Sequence, residues 1–197
     1  MSIETFLALI VFAFVSSITP GPNNFMLLAS GVNFGFRRTV PHMIGIAIGF
    51  ASLLLAVRLG LGALLIAFPG LNLALKIAGG TYLLYLAWKI GTSRSMGDPQ
   101  ATGRPMTMVQ AAAFQWVNPK AWVMALTAMS VYTDPDNPLV SVMIVVLGFT
   151  LVNLPSVSSW ALFGVMLRGF LAAPVRLKWF NITMGALLAL SLWPMLA

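Results

Sequence analysis

Cysteine is absent from this chain of 197 residues, histidine occurs once, and aspartate and glutamate together occur four times. Without cysteine there are no disulfides, no thiolate metal sites and no thiol redox chemistry. One histidine and four acids leave too few ligands for a catalytic metal centre, so neither metal nor cofactor is expected. Charge is scarce too, at 8% of residues, where an ordinary soluble domain carries about 25%. So little charge cannot clothe the surface of a soluble globule. A soluble enzyme, a disordered chain and a nucleic-acid module are therefore excluded. The isoelectric point is near 10.6, but the 11 basic residues are scattered between apolar runs and form no patch.

What is present is hydrophobic sequence, 59% of the chain. A spanning helix needs roughly 20 mostly apolar residues. Six stretches qualify: 5–33, 41–68, 71–90, 107–132, 138–167 and 175–196. They are too long and too continuously apolar for barrel strands of about 10 alternating residues. The expected fold is an all-α integral membrane protein with six transmembrane helices. Residues 1–4 carry no positive charge and Ser16 to Pro20 makes a poor cleavage site, so the first stretch is read as a retained span. Arg37, Arg38, Lys89, Arg94, Arg104, Arg168, Arg176 and Lys178 all fall in loops 1, 3 and 5. The positive-inside bias puts those loops in the cytoplasm and both termini outside.

Two spans are interrupted. The first contains Thr19-Pro20-Gly21-Pro22-Asn23-Asn24 and the fourth Val117-Asn118-Pro119-Lys120. Proline removes a backbone donor and clashes with the preceding turn, so helices 1 and 4 should break there. Pro119 follows Pro20 by 99 residues, and Gly148-Phe149 follows Gly49-Phe50 at the same offset. Gly185 and Trp193 follow Gly80 and Trp88 by 105. This ordered similarity predicts one membrane domain over 1–197, made of two three-helix repeats. Repeat 1 covers about 1–92, repeat 2 about 107–197, and a polar linker runs over about 93–106. With an odd number of spans each, the repeats insert with opposite polarity, the plan of many secondary transporters. Half-helix N-termini at the two breaks would point their free N–H groups at mid-membrane and hold a substrate carboxylate.

The residues Ser17-Ile18-Thr19-Pro20-Gly21-Pro22-Asn23-Asn24, with Gly31, Gly35 and Arg37-Arg38, resemble the N-terminal signature of the LysE/RhtB amino-acid exporter family. Lys76-Ile77-Ala78-Gly79-Gly80-Thr81-Tyr82-Leu83 and Trp88-Lys89 are similar to that family's third span, and Phe114 to Ala121 to its fourth. The resemblance covers essentially the whole chain. It implies a bacterial inner-membrane exporter of a small amino acid or derivative, such as threonine, homoserine, cysteine or O-acetylserine. It implies coupling to an ion gradient, with the proton as the expected ion. Many members carry an acid in the second span, whereas Gly45 to Ser52 has none here.

The expected substrate-binding residues are Pro20, Gly21, Pro22, Asn23, Asn24, Gln115, Asn118, Pro119 and Lys120. A lysine at mid-membrane costs about 2.5–3.5 kcal/mol on insertion scales, so Lys120 should face a cavity or a partner. In the alternative it only stitches the broken helix to carbonyls. His42, Asn153 and Ser156 are read as pathway or coupling residues. For His42 an interface position after Pro41 is the favoured reading, and for the other two helix-to-helix glue is an equal one. Arg58 and Lys76 are read as snorkelling anchors. Gly45 and Gly49 mark a close-packing face, within the chain or between copies in a homo-oligomer. The function expected is alternating-access export. Other readings are an efflux protein for another small solute or cation, or a non-transporting membrane subunit.

Overall fold

The computed structural model describes residues 1–94, 96 and 104–193, and all regular structure in them is helical. Most of the predicted linker and the last residues of the sixth apolar stretch lie outside the described residues. The helices are α1 (Ile3–Ile18), α2 (Pro22–Phe34), α3 (Phe36–Ala56), α4 (Gly62–Ala67) and α5 (Pro69–Gly91), then α6 (Met108–Gln115), α7 (Pro119–Val131), α8 (Pro138–Leu167) and α9 (Pro174–Leu190).

Proline placement sets many of these boundaries. Pro22, Pro69, Pro119, Pro138 and Pro174 each open a helix, where the missing N–H costs nothing and φ is already set. Thr107 opens α6 with a capping box: its hydroxyl accepts from Gln110 N, and Gln110 Oε1 accepts from Thr107 N. Gly35 ends α2 at φ 82°, a left-handed value that favours glycine.

Two boundaries depart from the expected spans. The second stretch begins at Phe36, not 41, because Gly35 turns the chain so sharply that the helix restarts at once. Pro41 is carried inside α3, and Arg37 and Arg38 sit in its first turn. The same stretch is not continuous to residue 68. A π-turn at Val57–Leu61 contains Gly60 at φ 98°, and α4 follows.

By length and composition, Phe36–Leu65 and Pro138–Leu167 are each apolar enough to cross a membrane. The pair α1 and α2, bent by 55°, forms a third candidate when taken as one span. The 30 residues of α8 extend about 45 Å at 1.5 Å per residue.

Small residues bring the backbones together. Gly31 of α2 lies on the Ala161 carbonyl of α8, and Gly164 of α8 on the Leu28 carbonyl of α2. Gly45 and Gly49 of α3 lie on Met108 and Ala112 of α6. Gly185 of α9 lies on the Ala87 carbonyl of α5. The predicted Gly45–Gly49 face thus packs within the chain. A core of Leu9, Ala13, Phe50, Leu53, Ala125, Val145 and Phe149 joins α1, α3, α7 and α8.

Candidate functional site

A helix ends with backbone carbonyls that have no partner inside it. At the end of α1 the carbonyls from Val15 to Pro20 all find one. Thr19 N donates to Val15 O at 3.1 Å, and Thr19 Oγ1 to Ser16 O at 3.2 Å. Asn24 Nδ2 donates to Ser17 O at 2.9 Å and to Thr19 O at 2.7 Å. Trp160 Nε1 donates to Ile18 O at 3.1 Å. Lys120 Nζ donates to Thr19 O at 2.7 Å, to Thr19 Oγ1 at 3.0 Å and to Pro20 O at 3.4 Å. Donors from α2, α7 and α8 therefore converge on one helix end. A cation there also meets the negative end of the helix dipole.

The start of α2 is different. Gly21 is extended, and no side chain caps the helix. This break borders a cavity of about 30 Å³ that the second break also lines. The cavity is lined by Gly21, Pro22, Asn23 and Asn24 from the first break and by Gln115, Asn118, Lys120 and Ala121 from the second. That volume holds water but no amino acid. Asn23 and Gln115 form a reciprocal amide pair across it: Asn23 Nδ2 donates to Gln115 Oε1 at 2.8 Å, and Gln115 Nε2 to Asn23 Oδ1 at 3.1 Å. The start of α7 is less free than expected, because Asn118 Oδ1 already accepts from Lys120 N at 3.2 Å.

Asn153 of α8 also lines the cavity. Its Nδ2 donates to Ser17 Oγ at 3.1 Å, while its buried Oδ1 has no hydrogen-bond partner. An orphaned buried acceptor is costly unless a ligand or water meets it.

Of the predicted site residues, Gly21, Pro22, Asn23, Asn24, Gln115, Asn118, Lys120 and Asn153 share this cavity. Pro20 reaches it only through its carbonyl. Pro119 faces another cavity, of about 250 Å³, with Lys76, Trp116 and Trp122. Ser156 is buried and spends its hydroxyl on Val152 O of its own helix. His42 is buried within the protein. It is 2% exposed, because the helix starting at Phe36 carries it inside α3. Ser16, Ser17, Ile46, Phe50, Met124 and Val157 complete the lining and were not anticipated as site residues. Ser16 and Ser17 had a signal, since they lie about one helical turn before Pro20, but the four apolar residues had none.

The amide pair gives a direct prediction. Asn23→Ala and Gln115→Ala should each destabilise the folded protein, and the double variant should cost less than the two together. The coupling expected in a thermal-unfolding double-mutant cycle is about 1 kcal/mol. Strict additivity would mean that the pair does not form.

These features define a helical protein whose polar site is built at interruptions in apolar helices. The family described as LysE type translocator matches residues 14–191, and the chain belongs to that family. It is a family of membrane translocators rather than enzymes. The chain is 32% identical over 130 residues to a cysteine/O-acetylserine efflux protein of Escherichia coli O1:K1 / APEC. It is 31% identical over 130 residues to the protein of that name from Escherichia coli strain K12. Each match covers 66% of this chain and 66% of the relative's length. No solved structure matches the chain.

Proposed function

We propose that this chain exports a small neutral amino acid or derivative from the cytoplasm by alternating access. The observation that carries the reading is the composition of the central cavity. It offers an uncapped helix N-terminus and the Lys120 ammonium on one hand, and an orphaned acceptor, Asn153 Oδ1, on the other. The first two suit a carboxylate. The third suits an ammonium. An α-amino acid carries both. No acid lines the cavity, which disfavours free cations as cargo. O-Acetylserine and cysteine are the first substrates to try, from the names of the relatives.

The six-span, two-repeat architecture belongs to the same proposal. It is one membrane domain, with repeat 1 over about 1–92, linker about 93–106 and repeat 2 about 107–197. Helices 1 and 4 are the spans broken at Pro20 and Pro119. Reciprocal packing supports it. The first broken pair, α1 and α2, lies on α8, and the second, α6 and α7, lies on α3. Gly49 meets Ala112 of α6, and its repeat mate Gly148 meets Leu9 and Ile10 of α1. Gly80 meets Leu192, and its mate Gly185 meets Ala87. At about 30 Å³ the cavity has only water-sized space. Substrate enters when one repeat rocks against the other and parts Asn23 from Gln115. The setting is the bacterial inner membrane, with loops 1, 3 and 5 cytoplasmic, both termini periplasmic, and a proton as the coupling ion.

The test is efflux from proteoliposomes loaded with a mixture of labelled amino acids, with and without a pH gradient. Selective loss of small neutral amino acids, accelerated by the gradient, is expected. Selective loss indifferent to the gradient would remove the proton and keep the exporter. No selective loss would overturn the function.

A further inference from the structure

The central cavity holds one of the orphaned polar groups. The others among the described residues, both ring nitrogens of His42, are buried without a partner, and His42 lines a second cavity of about 140 Å³. This cavity lies along the distal part of α2. Asn23 lines the first cavity and Met26 the second, so about one helical turn separates them. Phe114 packs with Met26, Leu83 and Leu86. Asn33 does not account for His42, since its amide is taken by Ala29 O and Asn181 Oδ1. Ser30 bonds Thr39, not the imidazole. The open rim carries Lys89 and the exposed Arg104.

We propose that this second cavity is a docking subsite for a free α-amino acid on the side of the protein that bears the basic loops. The carboxylate meets Lys89 and Arg104, and the ammonium meets the acceptor nitrogen of His42. The inference rests on the export reading for the identity of the ligand. Its physical warrant is separate. A neutral imidazole always presents one acceptor and one donor. Burying both without partners costs free energy that only a ligand or water in this cavity can return. Two cations at the rim without an acid on the lining draw an anionic group to its mouth. The same substrate would then wait here before it passes to the central cavity.

The chain's lack of cysteine makes the test clean. Tyr85 lines the second cavity and is half exposed. Tyr85→Cys is reconstituted in phosphatidylcholine nanodiscs and labelled with a maleimide, with and without O-acetyl-L-serine. Labelling should slow about tenfold at ten times the half-protecting concentration, by mass action. Adding His42→Ala should raise that concentration about tenfold, the value of one charge-assisted hydrogen bond. Adding His42→Gln, which keeps a polar group if the alanine variant fails to fold, should raise it less. Adding Gly148→Ala, at a residue that lines neither cavity, should leave it unchanged. Absence of protection in a protein that still exports O-acetylserine would overturn the subsite. Protection that follows anionic phosphatidylglycerol instead of the amino acid would overturn it in favour of a lipid headgroup. If the parent chain exports no amino acid, the export reading fails by itself, and the labelling still decides the subsite.

Discussion

Lys120→Met is expected to lower O-acetylserine efflux by about two orders of magnitude, while the protein remains folded. The side chain has two tasks. In the closed form its ammonium holds the Thr19 and Pro20 carbonyls. In the proposed loaded form it holds the substrate carboxylate. Hydrogen bonds to a charged group contribute about 1.5–3 kcal/mol, enough for a 100-fold loss. Methionine keeps the length and apolar stem, so gel filtration should still give a single peak. Lys120→Arg should rescue only in part. The ammonium is seated against Gly21, where even a Cβ would come within 2.9 Å of Lys120 Cδ and 3.2 Å of Nζ. The larger, planar guanidinium cannot repeat the point contact of the ammonium with the same acceptors. Wild-type efflux by the methionine variant would move the site elsewhere.

Gly31→Val should abolish the folded protein or lower its thermal midpoint steeply. A side chain at Gly31 would be driven into the backbone of α8 at Ala161 and Gly164. Both partners are helical backbone and cannot rotate away. Overpacking of this kind costs about 1–3 kcal/mol, and more where backbone must shift. Gly164→Val should behave alike, since it presses on the Leu28 carbonyl from the other side. The two together should be less than additive because they part the same helices. Gly148→Ala is the control. Its nearest neighbours are the Leu9 and Ile10 side-chain tips at 3.5 and 3.6 Å, so it should be nearly neutral. Equal midpoints for Gly31→Val and Gly148→Ala would refute the close α2–α8 contact.

The helix breaks were legible because proline acts locally. Pro20 and Pro22 end α1 and begin α2, and Asn118-Pro119 caps and begins α7. Their meeting in one cavity followed from their equal depth. What Lys120 touches did not. Its acceptors are Thr19 and Pro20, about a hundred residues away, and no local rule selects them. The pairing of Asn23 with Gln115 is hidden for the same reason. The burial of His42 was not legible because a lone histidine after a proline carries no periodic signal. Its burial depends on Gly35, whose left-handed turn restarts the helix five residues early. The interruption at Gly60 was hidden in a run whose one proline, Pro41, lies at its far end, and glycine alone does not distinguish a kink from close packing.

The convergence on the end of α1 has a kinetic side. Its last carbonyls occupy Lys120 much as a carboxylate would, so the unloaded protein contains its own competitor. In the proposed export cycle a substrate must displace that internal decoy, and part of its binding energy is consumed in doing so. Affinity would then be held down whichever way the site opens, which would help release where product accumulates. The decoy would also give the empty carrier a satisfied charge for its return, so a lysine need not cross the barrier bare. Loss of the Thr19 hydroxyl, one of the three acceptors, should tighten substrate binding and slow the empty return, and exchange should then outpace net export.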